Sequence, residues 1–202
     1  MEVMNAMKGL RVLVFLSVSL TAAPAGAVQL DFQPSTQTVN VGDTASVDIV
    51  VSNRGGVSIG AFDLGIGFDP ALLAPVDVTF GSALGDPTVF EALTDVTVSS
   101  GVVDLAEVSL LSPPALDALQ TTDQLLLATV DFVAMGSGIS SLTFVSVDLK
   151  DALANELIPL LGSAQVTSVP QPPGLLLLVS AAAALAALTR RHRKWAMRHL
   201  GH

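Results

Sequence analysis

The sequence has no cysteine, no tyrosine and one tryptophan, Trp195, and its three histidines, His192, His199 and His202, all lie close to the C-terminus. Without cysteine no disulfide can staple the fold, so an ordered domain here has to rest on its core. Without histidine or cysteine ahead of position 192, Ser-His-Asp and Cys-His catalysis and the usual zinc ligands are excluded from everything upstream. Basic residues are equally scarce. Between residues 28 and 169 only Arg54 and Lys150 are basic, against seventeen acids, a net charge of −15. Such a field repels phosphate backbones and excludes nucleic acid as a partner. It favours a cation or a basic partner, and a merely solvated acidic surface carries the same composition. The lack of tyrosine and tryptophan in this region also argues against stacking of sugar rings on an aromatic platform.

What is present divides the chain into three parts. A basic start (Lys8, Arg11), an apolar run over 12–20 and small residues ending in Ala25-Gly26-Ala27 read as a secretory signal peptide of residues 1–27, cut after Ala27. The apolar run is too short to cross a membrane core of about 30 Å. Residues 28–169 are the acidic middle, long enough to bury close to ~70% of its unfolded-chain surface. Residues 170–202 hold prolines, an apolar stretch over 174–188, and the cluster Arg190, Arg191, His192, Arg193, Lys194. As a helix that stretch reaches only ~22 Å. It is a marginal anchor whose basic end stays cytoplasmic and leaves the acidic domain outside.

The middle alternates with period two. Ala45, Val47, Ile49 and Val51 share one face of a strand over 44–52; Phe62, Leu64, Ile66 and Phe68 share one face of a second, ended by Asp69-Pro70. Further strands are expected at 76–80, 89–99, 102–108, 125–134, 140–149 and 163–169, and a loop with one helical turn over 111–124. In 140–149 the apolar phase shifts between Phe144 and Val145, which predicts either a β-bulge or burial on both faces. Short strands at this spacing indicate an all-β sandwich or barrel.

In order, Val41-Gly42-Asp43, Gly60-Ala61-Phe62-Asp63-Leu64, Phe68-Asp69-Pro70-Ala71-Leu72-Leu73, Leu127-Ala128-Thr129-Val130-Asp131-Phe132, Val147-Asp148-Leu149 and Asn155-Glu156 resemble the cohesin domain family over nearly all of 30–169. The resemblance implies a jelly-roll, Ig-like β-sandwich related to carbohydrate-binding modules, whose cellulosomal members bind dockerins through one sheet face. The tail resembles the PEP-CTERM sorting signal: Val169, Pro170, Gln171 and Pro172 stand at its Pro-Glu-Pro motif, with Gln171 in the glutamate position. The apolar helix and the basic stop Arg190, Arg191, Arg193, Lys194 follow. That resemblance implies processing by an exosortase-type enzyme and passage through the inner membrane.

Only carboxylate chemistry is left to the middle domain. A glycosidase needs two carboxylates facing each other. The candidate pair, Asp104 and Glu107, is three apart on a strand and points to opposite faces. Calcium is the inorganic ligand that the oxygen-rich run Asp148, Asp151, Asn155, Glu156 would suit, but the run lacks the EF-hand order, and a polar turn is the competing reading. A partner face is expected on the outer side of the second strand, at Ala61, Asp63, Gly65 and Gly67, where glycines let a flat surface approach or else pack beneath a neighbour. The expectation is therefore a non-catalytic, exported binding or scaffold module of the cell envelope or extracellular matrix. Its partner would be a dockerin-like protein or a polysaccharide. The alternatives are a structural matrix protein without a discrete ligand and, last, a carboxylate-type glycosidase.

Overall fold

Period-two alternation turns each apolar set toward one side of its strand, and two such sheets bury those sides against each other. In the computed structural model residues 27–171 are described. The expected signal helix with Ala25, and the tail from Pro172 through Arg190, Arg191, Arg193 and Lys194, lie outside the described residues.

The strands in chain order are β1 (Gln29–Gln33), β2 (Thr36–Asn40), β3 (Thr44–Ser52), β4 (Ile59–Gly67), β5 (Leu73–Phe80), β6 (Ala92–Ser99) and β7 (Val102–Ser109). After the helix α1 (Pro113–Leu119) come β8 (Leu125–Ala134), β9 (Gly138–Asp151), β10 (Glu156–Leu157), β11 (Leu160–Leu161) and β12 (Ser163–Val169). One sheet runs β11-β1-β3-β8-β5 and the other β2-β12-β9-β4-β7-β6, with β10 beside β9. This is the all-β sandwich expected from the alternation.

The core joins inward residues of both sheets, among them Phe32, Ile49, Leu64, Ile66, Leu105, Leu127, Phe132 and Leu142. Phe32 stacks on Phe144 with centroids 4.2 Å apart, and Phe68 tilts against Phe132 at 5.5 Å. Among the described residues every buried member of the core lies between Leu30 and Val166, and both sheets run within residues 29–169. The segment is of a size at which a single core is sufficient.

The phase change in β9 is a bulge. Across from it, Gly65 pairs with Ser146 and Ile66 with Phe144, so Val145 is the extra residue; it is exposed, while Leu142 and Leu149 on either side are buried. The strand expected to begin at Val89 begins at Ala92 instead. Residues Pro87–Val89 form a 3-10 turn in which the Asp86 side chain accepts from Thr88 N, and Phe90 follows at φ 62°, a left-handed conformation no strand can continue.

Candidate functional site

β4 is the centre of the seven-stranded sheet, with β9 on one side and β7 then β6 on the other. Because paired residues share a face, the register builds three rows across the outer surface. Lys150, Ala61, Val108 and Leu93 form the first row, Asp148, Asp63, Ala106 and Asp95 the second, and Ser146, Gly65, Asp104 and Thr97 the third. The second and third rows line a shallow concavity of about 530 Å³, rimmed by Asp63, Asp95, Asp104 and Asp148. The first row borders a smaller apolar depression of about 230 Å³, lined by Ala61, Leu93, Ala106 and Val108. Leu110, just past the end of β7, is exposed as well. One face thus holds an acidic half and an apolar half.

The four residues singled out on β4 behave differently. Asp63 is exposed and Ala61 half-buried on the outer face, whereas Gly65 is buried. A Cβ on Gly65 would run into Ser146 Oγ and lie 2.9 Å from Asp104 Oδ1; one on Gly67 would lie 2.9 Å from Val145 Cγ1. Neighbouring side chains, led by the bulged Val145, therefore roof both glycines. A visitor to this face meets Ser146, Asp104 and Val145 there rather than glycine backbone.

The calcium candidate does not assemble. Asp151 spends its carboxylate on its own turn: Oδ1 accepts from Leu153 N and Asn155 N, both at 2.8 Å, and Oδ2 from Asn155 Nδ2 at 2.8 Å. Those bonds hold its carboxyl below the ordinary aspartate range. Asp148 stands on the outer face and accepts from Lys150 Nζ at 2.8 Å, which raises the lysine. Glu156 sits in β10, across from Lys150. Among the described residues no three His, Cys, Asp or Glu converge on one point. The polar-turn reading stands for Asp151 and Asn155.

Asp104 and Glu107 lie on opposite faces, as their spacing requires. Asp104 borders the outer concavity, whereas Glu107 is turned inward and is 2% exposed. Neither carboxylate oxygen of Glu107 has a hydrogen-bond partner among the described residues, and burial pushes its carboxyl up to about 7. The two carboxylates cannot flank a sugar.

The family model for the cohesin domain matches residues 30–150. The chain belongs to the cohesin domain family. A cohesin domain is a non-catalytic module, and the chain is accordingly a binding protein and not an enzyme. Solved cohesins share its fold at low identity. A type II cohesin from the cellulosome of Acetivibrio cellulolyticus is 16% identical with TM-score 0.59, covering 69% of this chain and 95% of that one. A type I cohesin–dockerin complex from Clostridium thermocellum gives 19%, TM-score 0.58, and 71% and 99% coverage. A non-cellulosomal cohesin from the archaeon Archaeoglobus fulgidus gives 15%, TM-score 0.54, and 73% and 95%. No curated protein matches the sequence.

Two features of this cohesin escape a reading by pattern. Arg54, in what looks like a solvated turn, is 4% exposed. Its Nε donates to Asp123 O at 3.0 Å, Nη1 to Gln120 Oε1 at 3.3 Å, and Nη2 to Gln120 O at 3.1 Å and to Thr122 O, while its backbone N donates to Asp123 Oδ1 at 3.0 Å. Gln120 in turn donates from Nε2 to Ile59 O at 2.7 Å and Ala83 O at 3.0 Å. Burial lowers the guanidinium pKa, with Asp123 opposing. One of the domain's two cations is thus an internal strut. The other, Lys150, is engaged with Asp148, so the exterior is more acidic than composition suggests. The second feature is the apolar half of the face: Leu93, Val108 and Leu110 sit on exposed positions, which no described element covers.

Proposed function

We propose that this cohesin domain is the binding part of an exported protein of the cell envelope or extracellular matrix, and that it captures a dockerin-type protein on the outer face of β9, β4, β7 and β6. The observation that carries this reading is the union, on one contiguous face, of a four-aspartate concavity and an apolar shelf of Ala61, Leu93 and Val108. Apolar shelf residues supply desolvated contact area, and the aspartates select lysine or arginine and speed the encounter. Solved relatives seen bound to dockerins add support by likeness. The signal peptide and the PEP-CTERM-like tail supply export, transient residence in the inner membrane and hand-over to an exosortase-type enzyme. A polysaccharide partner has less support, because Phe90 is the one strongly exposed aromatic among the described residues and a stacking platform needs more.

The test immobilises residues 27–171 and passes a panel of purified dockerin modules over the surface. The paired substitutions Asp63→Lys and Val108→Asp should each weaken any capture at least tenfold while leaving the melting temperature within a few degrees. Failure of every module to bind, or binding untouched by both substitutions, would refute the assignment. Mass spectrometry of the C-terminus in envelope and secreted fractions checks the tail: an intact terminus in both would make it an anchor rather than a sorting signal.

A further inference from the structure

Both sheets end on the same flank of the sandwich, one in β5 and the other in β6. A sheet edge presents unpaired backbone N–H and C=O groups, and folded proteins guard such edges with proline, bulges, charge or brevity. β5 is guarded: Pro75 lies within it and its register with β8 skips at Val76. The edges at the opposite flank are β11, of two residues, and β2, of five. β6 has eight residues, Ala-Leu-Thr-Asp-Val-Thr-Val-Ser, with no proline, glycine or lysine. Its pairing with β7 runs through eight residue pairs without a bulge, and every residue after Ala92 is exposed. Asp95 is its one charge.

The inner side of this edge is shaped as well. Val96 and Val98 pair with the buried Leu105 and Val103 and so point to the core side, yet they are 39% and 55% exposed, because the facing sheet stops at β5. With Pro75, Val76, Asp77 and Val78 they line a cleft of about 290 Å³. We infer that β6 is a strand-addition site: an extended segment of a partner protein pairs with its outer edge, which no described strand occupies, sets alternate valine-like side chains into the β5–β6 cleft, and places lysine or arginine opposite Asp95. Backbone pairing demands an extended chain, the cleft demands apolar residues at every second position, and Asp95, on the outer side of the strand, selects a basic residue among the intervening ones. The same charge disfavours a second copy of this chain, since an edge-to-edge dimer would bring together two domains of net charge −15. β6 borders both sites: Asp95 faces the outer concavity as well as this edge, whereas Val96 and Val98 belong to the edge cleft alone, so substitution at the valines tests the inference apart from the outer-face reading.

The probe is a fluorescein-labelled eight-residue peptide alternating valine with lysine and threonine, titrated with residues 27–171 and read by anisotropy. Saturable binding is expected, at least tenfold weaker for a peptide of the same composition with its valines consecutive, and for one N-methylated at alternate amides. Val96→Lys places an inward charge on the edge and should abolish binding; Thr38→Lys, exposed on β2 at the opposite flank, should not. A thermal melt verifies that each variant is folded, and Val98→Lys replaces Val96→Lys should the latter unfold. No binding of the alternating peptide, equal binding of the shuffled one, or a dimer by size exclusion that Val96→Lys dissolves would overturn the inference.

Discussion

Glu107 makes the stability of this domain depend on pH in a direction opposite to most acidic proteins. Its carboxyl is buried between the sheets, across from Phe62 on β4 and Thr94 on β6, and titrates near 7 in the fold against about 4.5 unfolded. A raised carboxyl favours the protonated form in the folded state. Its contribution is therefore fully present below pH 4.5 and is lost as pH rises through 7. Linkage over that interval gives a loss of about 2.5 kcal/mol between pH 5 and pH 8. At a urea m-value of about 1.5 kcal/mol/M this moves the midpoint by roughly 1.5 M. Neither tryptophan nor tyrosine lies within residues 27–171, so far-UV circular dichroism is the suitable probe. Urea melts of that segment at pH 5, 6, 7 and 8 should show the midpoint falling, and Glu107→Gln should flatten the decline, because the amide does not ionise. The isolated domain contains no histidine, which removes the usual competitor in this window. If the wild type and Glu107→Gln declined in parallel, general repulsion among the surface acids would be the cause and the assignment to Glu107 would fail.

Arg54→Ala should cost about 3–5 kcal/mol, since it strands the carbonyls of Gln120, Thr122 and Asp123 in a buried site, and Arg54→Lys should recover only part of that because an ammonium cannot span the same acceptors; chemical denaturation checks both. Millimolar calcium should shift the melting temperature by less than about 1 °C, given that Asp151 is saturated by its own turn; a rise of several degrees that Asp151→Asn removes would restore the metal reading.

Strands whose inward residues alternate were legible at once: 44–52, 125–134 and 163–169 stand where the pattern put them. β2 was not, because Thr-Gln-Thr-Val-Asn has no apolar face to reveal; it is held by parallel pairing with β12, a long-range partner that local pattern cannot show. β10 and β11 are two residues each, below any periodic signal. The helical turn was visible in Pro113-Pro114 followed by Ala and Leu, since proline suits the first helical positions. Within the candidate site the outward identity of Ala61 and Asp63 followed from phase alone. The roof over Gly65 and Gly67 did not, because it depends on which strands flank β4 and on the bulge that lifts Val145 toward them. Arg54 was hidden by a Gly-Gly turn that reads as solvent-exposed; only the return of the chain after α1 buries it.

The two cations of the described domain also set its fate among proteases. A trypsin-like enzyme needs lysine or arginine at a bond it can draw out into its cleft. Arg54 is locked beneath the loop after α1, and Lys150 lies in β9 between β4 and β10. Among the described residues such an enzyme thus finds no ready bond, and a surface nearly stripped of cations doubles as a coat against digestion.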